Sequence, residues 1–248
     1  MTKKMWIIFS VLCIAIIGGL IAISQGDKAD VENINPATIQ AASKGSGNIA
    51  DHVSGNTSSK VVLIEYGDYQ CPGCESAYPI VKQVTDKYSK QIAFVFRNYP
   101  LVQAHPNALS SASASEAAGL QGKYWEMHDR LYTDQASWKE LSGVARTNYF
   151  VTSAVSLGMD GKKFTTDLDS ADVSRKIKFD IALGKKINLT GTPTFYVNDK
   201  NVGDQYVKDG KIVPKTTDGA ALIWSDASAF ENLIIIPALK EKGIELPQ

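Results

Sequence analysis

The stretch "EYGDYQCPGCESAYP", Glu65 to Pro79, decides how this chain folds. It puts two cysteines in a C-x-x-C directly after "KVVLIEYG", whose apolar, β-branched run from Val61 to Tyr66 predicts a strand covered on both faces. After the cysteines, apolar residues fall at Ala77, Tyr78, Val81, Val84 and Tyr88, which is helical spacing. "QIAFVFRNYP" then predicts a second strand from Ile92 to Arg97. Strand, helix and strand with short connections imply a βαβ unit with parallel strands. Sulfurs at such a strand-to-helix turn are a metal clip, a structural staple or a reversible redox couple. The rest of the chain has to choose.

Outward from that unit, no clear strand appears for a long stretch. "HPNALSSASASEAAGLQGKYWEMHDRLYTD" predicts an Ala/Ser-rich helix and then one with Tyr124, Trp125, His128, Leu131 and Tyr132 on one face. We read these aromatics as helix core, His105 and His128 as packing or capping residues, and Arg97 as a surface or ion-pair residue. Further helices follow, one with Asp160 as N-cap and Phe164, Leu168, Ile177 and Ile181 as core positions. "TGTPTFYVND" restores a strand at Thr194 to Val197, and "QYVKDGKIVP" predicts a hairpin turning at Asp209-Gly210. An amphipathic helix from Asp226 to Lys242 closes the chain, with Pro237 expected to kink or split it.

The totals exclude several classes. The chain has 248 residues and a formal charge of zero, so nothing in its balance suggests a nucleic-acid surface. Three cysteines cannot make a disulfide-dense scaffold, and Cys13 stands apart from the motif in an apolar run. That run, Met5 to Ile23, follows Lys3 and Lys4 and suffices to cross a hydrocarbon core of roughly 30 Å at about 1.5 Å per residue. Residues 1–24 are therefore expected to be a membrane anchor with the lysines in the cytoplasm, or a cleaved signal sequence ending at "AIS" before Gln25. Both place the body outside the cytoplasm, where disulfides persist. Residues 25–58, rich in Gly, Ser, Asn and Ala, are expected to form a flexible stalk that settles onto the domain near Ile49 to Val53.

Redox chemistry fits the cysteine pair best. A Cys at the start of a helix turns its sulfur toward unsatisfied N–H groups and the positive dipole end, which favours thiolate. Pro72 suits the first turn, where its missing N–H costs nothing, and Gly73 leaves the approach to the sulfur open. Cys71 is then the exposed attacking sulfur and Cys74 the inner, resolving one. A zinc site would need four ligands, and only His52, His105 and His128 could complete it, without suitable spacing, so no metal is expected. As a staple, so short a loop restrains little unfolded-state entropy.

From His52 to Lys242 the chain resembles the DsbA-like thiol:disulfide oxidoreductases of the thioredoxin superfamily. The resemblance rests on "VVLIEYGDYQCPGC", "FRNYPL", "HPNA…GKYWEMHDRLY" and above all "LTGTPTFYVN". It implies an α/β fold: a first thioredoxin-like segment at 59–103, an inserted helical domain at 104–186, and a second thioredoxin-like segment at 187–248. It also implies that Thr192-Pro193, after Gly191, is the cis-proline dipeptide opposite the sulfurs, where an extended substrate segment pairs with backbone. Glu65 takes the place of the buried acid that relays protons to the inner cysteine. Two departures stand out: residues 203–222 exceed a minimal hairpin connection, and Pro72-Gly73 replaces the Pro-His of the best-known strong oxidants, removing a positive charge from beside the thiolate.

The expected activity is exchange through a Cys71–Cys74 redox couple with no other cofactor, introducing disulfides into reduced, cysteine-containing exported proteins. By the same resemblance, a quinone-linked membrane protein would reoxidise the pair and the chain would act as a monomer. A reductase or isomerase would use identical residues, so the motif does not set the net direction. A non-enzymatic binding module on a stalk is the reading from a different class.

Overall fold

The computed structural model describes residues 29–247, together with 6, 9, 10 and 12–14. The expected anchor or signal sequence, with its cleavage site before Gln25, otherwise lies outside the described residues. Among the described residues no helix is long and apolar enough to cross a membrane.

A five-stranded sheet carries the site. Strand β2 (Val62–Gly67) is central and pairs in parallel with β3 (Ala93–Asn98), with Glu65 opposite Phe96. Helix α1 (Pro72–Lys87) connects them, as the apolar spacing after the cysteines predicts. Strand β4 (Thr194–Val197) pairs antiparallel with β2 on its other side and carries the short β5 (Lys200–Asn201). Strand β1 (Val53–Gly55), which no sequence pattern predicts, pairs antiparallel with β3.

Six helices fill the gap between β3 and β4: α2 (Ala108–Gly119), α3 (Tyr124–Thr133), α4 (Gln135–Trp138), α5 (Gly143–Ser156), α6 (Gly161–Leu168) and α7 (Ala171–Lys186). Small residues let α2 lie inside the cluster, with Ala112, Ala114, Ser115, Ala117 and Ala118 all buried. Asp160 caps α6 by accepting from the Lys162 and Lys163 amides. Phe164 and Ile177 are in the core, with Leu168 and Ile181 at its edge.

Alternation along the strands divides the interior in two. Leu63, Phe94, Phe96 and Phe195 face a large core shared with α1, the helical insertion and the C-terminal helix. Ile64, Tyr66 and Val95 face a smaller cluster with Phe179 and Leu183 of α7. Ala29, Val31, Ile34 and Ile39 pack against this second cluster. So the described part of the expected stalk, from residue 29 onward, is docked rather than flexible. The reason is long-range. Arg97 donates to the carbonyls of Pro36 and Thr38, and Lys186 donates to those of Val31, Glu32 and Ile34.

Residues 203–222 form a small second sheet of β6 (Tyr206–Lys208), β7 (Lys211–Val213) and β8 (Ala221–Leu222). Asp209 and Gly210 both have positive φ, 50° and 70°, which is what a two-residue hairpin turn requires. The final helix comprises α8 (Ala227–Phe230), a π-helical turn (Glu231–Ile235) and α9 (Ile236–Glu241). Instead of splitting at Pro237, the helix widens one turn before it, where the proline would otherwise interrupt the hydrogen-bond ladder.

Candidate active site

Cys71 occupies the N-cap of α1 with extended backbone, and Pro72 opens the helix. The chain reaches this turn from β2, so the sulfurs lie at the carboxyl edge of the central strand. Both cysteines are free thiols. Cys71 is 7 % exposed, whereas Cys74, one turn into the helix, is fully buried.

Their environments drive the two thiols apart. The Cys74 thiol donates a hydrogen bond to the Cys71 sulfur, and this, against the opposing effect of burial, brings Cys71 down to about 5. The Thr192 hydroxyl and the amides of Gly73 and Cys74 lower it further. Cys74 moves the other way, well above the usual thiol range, because burial and its role as donor penalise its anion. One sulfur is thus a thiolate at neutral pH and its neighbour a proton carrier.

Thr192-Pro193 stands opposite, joined by a cis peptide bond. The Cys71 thiol donates to the Thr192 carbonyl at 3.5 Å. Thr192 Oγ1 is buried without a partner in this thiol form, and ionisation of Cys71 supplies the acceptor it lacks. A Cβ on Gly73 would sit 3.2 Å from Pro193 Cδ and 3.6 Å from Cys71 Sγ, so the missing side chain keeps this contact close. Gly191 lies beside the pair, and its carbonyl accepts from the Thr194 hydroxyl at 2.9 Å. Of the eight residues singled out from sequence, Glu65 lies on β2, Cys71 caps α1, Pro72, Gly73 and Cys74 form its first turn, and Gly191, Thr192 and Pro193 form the loop entering β4.

Glu65 is 2 % exposed, and its Oε1 has no hydrogen-bond partner among the described residues. Burial, reinforced by the Cys71 charge, raises its carboxyl to about 8. Such a group is protonated at neutral pH and close enough to balance to exchange its proton.

No sequence signal marks the polar frame that holds the motif. The Asp68 amide donates to Cys74 Sγ at 3.5 Å, while its carboxylate accepts from the Gln70 and Leu101 amides and pairs with His105 Nδ1 at 2.7 Å. Gln135 of α4 donates to the carbonyls of Tyr69 and Cys71. Gln70 donates to the Lys139 carbonyl and accepts from the Asn107 amide at 2.6 Å. These partners come from distant segments, so no local pattern reveals them. Tyr66, at the end of the strand that leads into the motif, faces the opposite cluster and accepts from Arg97 at 2.9 Å. Among the described residues no group of three or more His, Cys, Asp or Glu is arranged to hold a metal ion.

With that geometry in place, residues 47–212 match the family model described as Thioredoxin. The chain belongs to the thioredoxin family. Solved structures with the same fold include BdbD from Bacillus subtilis in its oxidised form, with 22 % identity and a TM-score of 0.60 over 83 % of this chain and 100 % of that one. Another is α-DsbA1 from Wolbachia pipientis, with 20 % identity and a TM-score of 0.59 over 78 % of this chain and 93 % of that one. They establish for this thioredoxin-family chain the DsbA-type architecture, a thioredoxin fold with a helical insertion.

A curated relative, a Na(+)/H(+) antiporter NhaA 1 of Mycolicibacterium vanbaalenii, is 36 % identical over 152 residues, covering 60 % of this chain and 23 % of the antiporter. One from Salinispora arenicola is 35 % identical over 156 residues, covering 63 % of this chain and 23 % of that protein. The chain spans about a quarter of the length of these relatives. Thiol–disulfide exchange is the chemistry for which this thioredoxin-family site is equipped.

Proposed function

We propose that this protein is an extracytoplasmic, membrane-tethered thiol:disulfide oxidoreductase that introduces disulfides into exported proteins. The reading is carried by the opposed thiols, Cys71 at about 5 and Cys74 far above it, beside the Thr192 carbonyl. In the oxidised pair, a substrate thiolate attacks Cys71 and Cys74 departs as thiolate. A second substrate thiolate then attacks the substrate sulfur of the mixed disulfide and Cys71 departs in turn. Two electrons have passed from substrate to enzyme, and the reduced pair remains.

The leaving group favours one net direction. A thiolate stabilised by roughly two pH units at pH 7 favours the reduced enzyme by about 3 kcal/mol, which makes its disulfide the stronger oxidant. That supports oxidation over reduction, even without a histidine between the cysteines. Protonated Glu65 gives its proton to Cys74 as that sulfur leaves. The half-buried loop from Gly191 to Pro193, beside Cys71 and the exposed Pro72, suits unfolded, cysteine-containing substrates, which would lie along it. The apolar run behind Lys3 and Lys4 supports export and single-pass tethering, and we take the chain to act as a monomer. Continued oxidation requires an acceptor for two electrons, for which a quinone-linked membrane protein is the proposed partner.

The full chain, oxidised and added in stoichiometric amount, should speed oxidative refolding of a reduced secreted protein, and Cys71→Ser should abolish the effect. No acceleration from a protein with its disulfide intact would exclude the oxidase, and a potential near that of cytosolic thioredoxin, about −270 mV, would assign the reductase instead.

A further inference from the structure

Each turn of the couple moves a proton. Cys74 takes one when it leaves and surrenders one when it closes the disulfide, and Glu65 exchanges it. Glu65 is itself buried among Cys71, Cys74, Tyr69 and Tyr132, so it needs its own connection to solvent.

The structure contains a pocket of about 60 Å³ that reaches Glu65 between α1, β1, β3 and α3. His128 and Trp125 line it, and Lys82, Asp86 and Asp129 stand at its exposed end. His128 is 4 % exposed, held edge-on to Phe96 and Trp125 with ring centroids 4.9 Å and 5.0 Å away. Its Nδ1 lies 3.1 Å from Asp129 Oδ1, and its Nε2 is buried without a partner. Glu65 Oε1 and Trp125 Nε1 are likewise unpartnered. Three orphan polar atoms belong to residues that line one small pocket, whose volume has room for a few waters.

We propose that His128 is the proton port of the redox couple, linking Glu65 to solvent through water in this pocket. The proposal rests on the exchange reading above. With its Nδ1 proton donated to Asp129, neutral His128 presents Nε2 as an acceptor toward the pocket. Protonated Glu65 passes its proton by way of pocket water to Nε2. The imidazolium that forms is held by the Asp129 carboxylate, itself paired with Lys82 at 3.3 Å, and loses the Nδ1 proton at the exposed end. The same steps reversed carry a proton inward to Glu65. Burial lowers the His128 pKa, so the ring does not keep the proton it receives. Tyr78, Tyr69, Tyr124 and Tyr132 also face the ring, and as neutral phenols they leave Asp129 and Lys82 as the charges that set its state. A histidine serving only as packing would explain the aromatic cage, but not the orphan nitrogen in a pocket shared with an orphan carboxyl.

The test uses the full chain with glutathione disulfide-linked to Cys71, measuring glutathione release as Cys74 closes the bond. His128→Phe keeps an aromatic ring and removes the carrier. It is expected to slow release by about a hundredfold, the low end of what a positioned acid or base contributes. Cys71 should still titrate as in the wild type when followed by thiolate absorbance. Imidazole should restore the rate in His128→Ala. Should neither histidine variant fold, Ser54→Trp, which fills the pocket from β1, is expected to slow release without touching a titratable group. Wild-type release in any folded variant of the three, or His128→Ala indifferent to imidazole, overturns the port. A wild-type protein that never releases glutathione overturns the exchange reading instead, so the two failures are distinguishable.

Discussion

The two faces of the central sheet bury charge in opposite ways. On the α7 face, Arg97 donates to Asp51 at 2.7 Å, Lys176 bridges Asp51 and Asp180, and the Asn98 amide donates to Asp180. Burial would raise the Asp51 carboxyl, but Lys176 and Arg97 outweigh it and hold the group near 2. On the other face, Glu65 stands two residues before Gly67 on β2 with no countercharge and a carboxyl raised to about 8. Both acids are buried at similar depth. The partnered one fastens the chain, and the unpartnered one is left free to change protonation state. Burial alone therefore does not identify a functional acid; burial without partners does.

Breaking the partnered face should have the largest effect. Arg97→Met removes one cation from Asp51 and the donors to the Pro36 and Thr38 carbonyls. Lys176 still pairs with Asp51, but removing one partner of a buried ion pair costs about 3–5 kcal/mol. Urea unfolding should show that loss, and limited proteolysis should cut residues 29–50 ahead of the rest. A midpoint within error of the wild type would mean that the ion network contributes nothing to docking this segment.

Neutralising the unpartnered face should work in reverse. The Glu65 carboxyl is raised from 4.5 to about 8 on folding, so between those values the folded state holds a proton that the unfolded state has lost. Stability on this account is unaffected below pH 4.5, falls as pH rises through the window, and reaches its full penalty above about 8. At about 1.4 kcal/mol per pH unit, the penalty over this window is roughly 5 kcal/mol. Glu65→Gln should flatten that slope and unfold later than the wild type at about pH 8, while resolving mixed disulfides more slowly. Parallel stability profiles for the two proteins would show that Glu65 is not the group titrating.

This contrast explains what could be read from sequence. Strands β2, β3 and β4, helix α1, the Asp160 cap and the Asp209-Gly210 turn follow from local rules of period, cap and φ, and all six appear where they were expected. The C-x-x-C and TGTP segments were equally visible, since each carries its chemistry within a few residues. Residues 29–52 read as stalk because their Gly, Ser and Asn composition dominates locally, whereas what fastens them comes from Arg97 and Lys176, the latter 125 positions from Asp51. Strand β1 is three residues ending in glycine, too short to show a period. Asp68, Gln135 and His128 were indistinguishable from surface or core residues until the fold supplied their partners.

Closer to the sulfur, Thr192→Val sharpens the contrast by removing a donor that only the thiolate needs. The thiol form keeps its bond to the Thr192 carbonyl, so folding should be nearly unchanged. The Cys71 thiolate loses one of several stabilising contacts, and its titration midpoint should rise. Less stabilisation of the reduced form makes the couple less oxidising, by on the order of 10–30 mV. Equilibration with glutathione measures this directly, and an unshifted potential would assign the low Cys71 value to the Cys74 thiol and the α1 amides alone.

The smallest effect belongs to Gly73→Ala. The residue is helical, so alanine's propensity should stabilise α1 by a few tenths of a kcal/mol or more. Its methyl, however, would lie 3.2 Å from Pro193 Cδ, tighter than ordinary van der Waals contact, and 3.6 Å from Cys71 Sγ, on the side from which a substrate sulfur must arrive. Propensity and crowding oppose each other in stability but not in reactivity. The variant should therefore unfold within about 1 kcal/mol of the wild type, yet form mixed disulfides more slowly with a folded protein thiol than with glutathione, because only the bulky partner needs the space the glycine leaves. Equal slowing with both would place the constraint in the thiolate rather than in the approach to it.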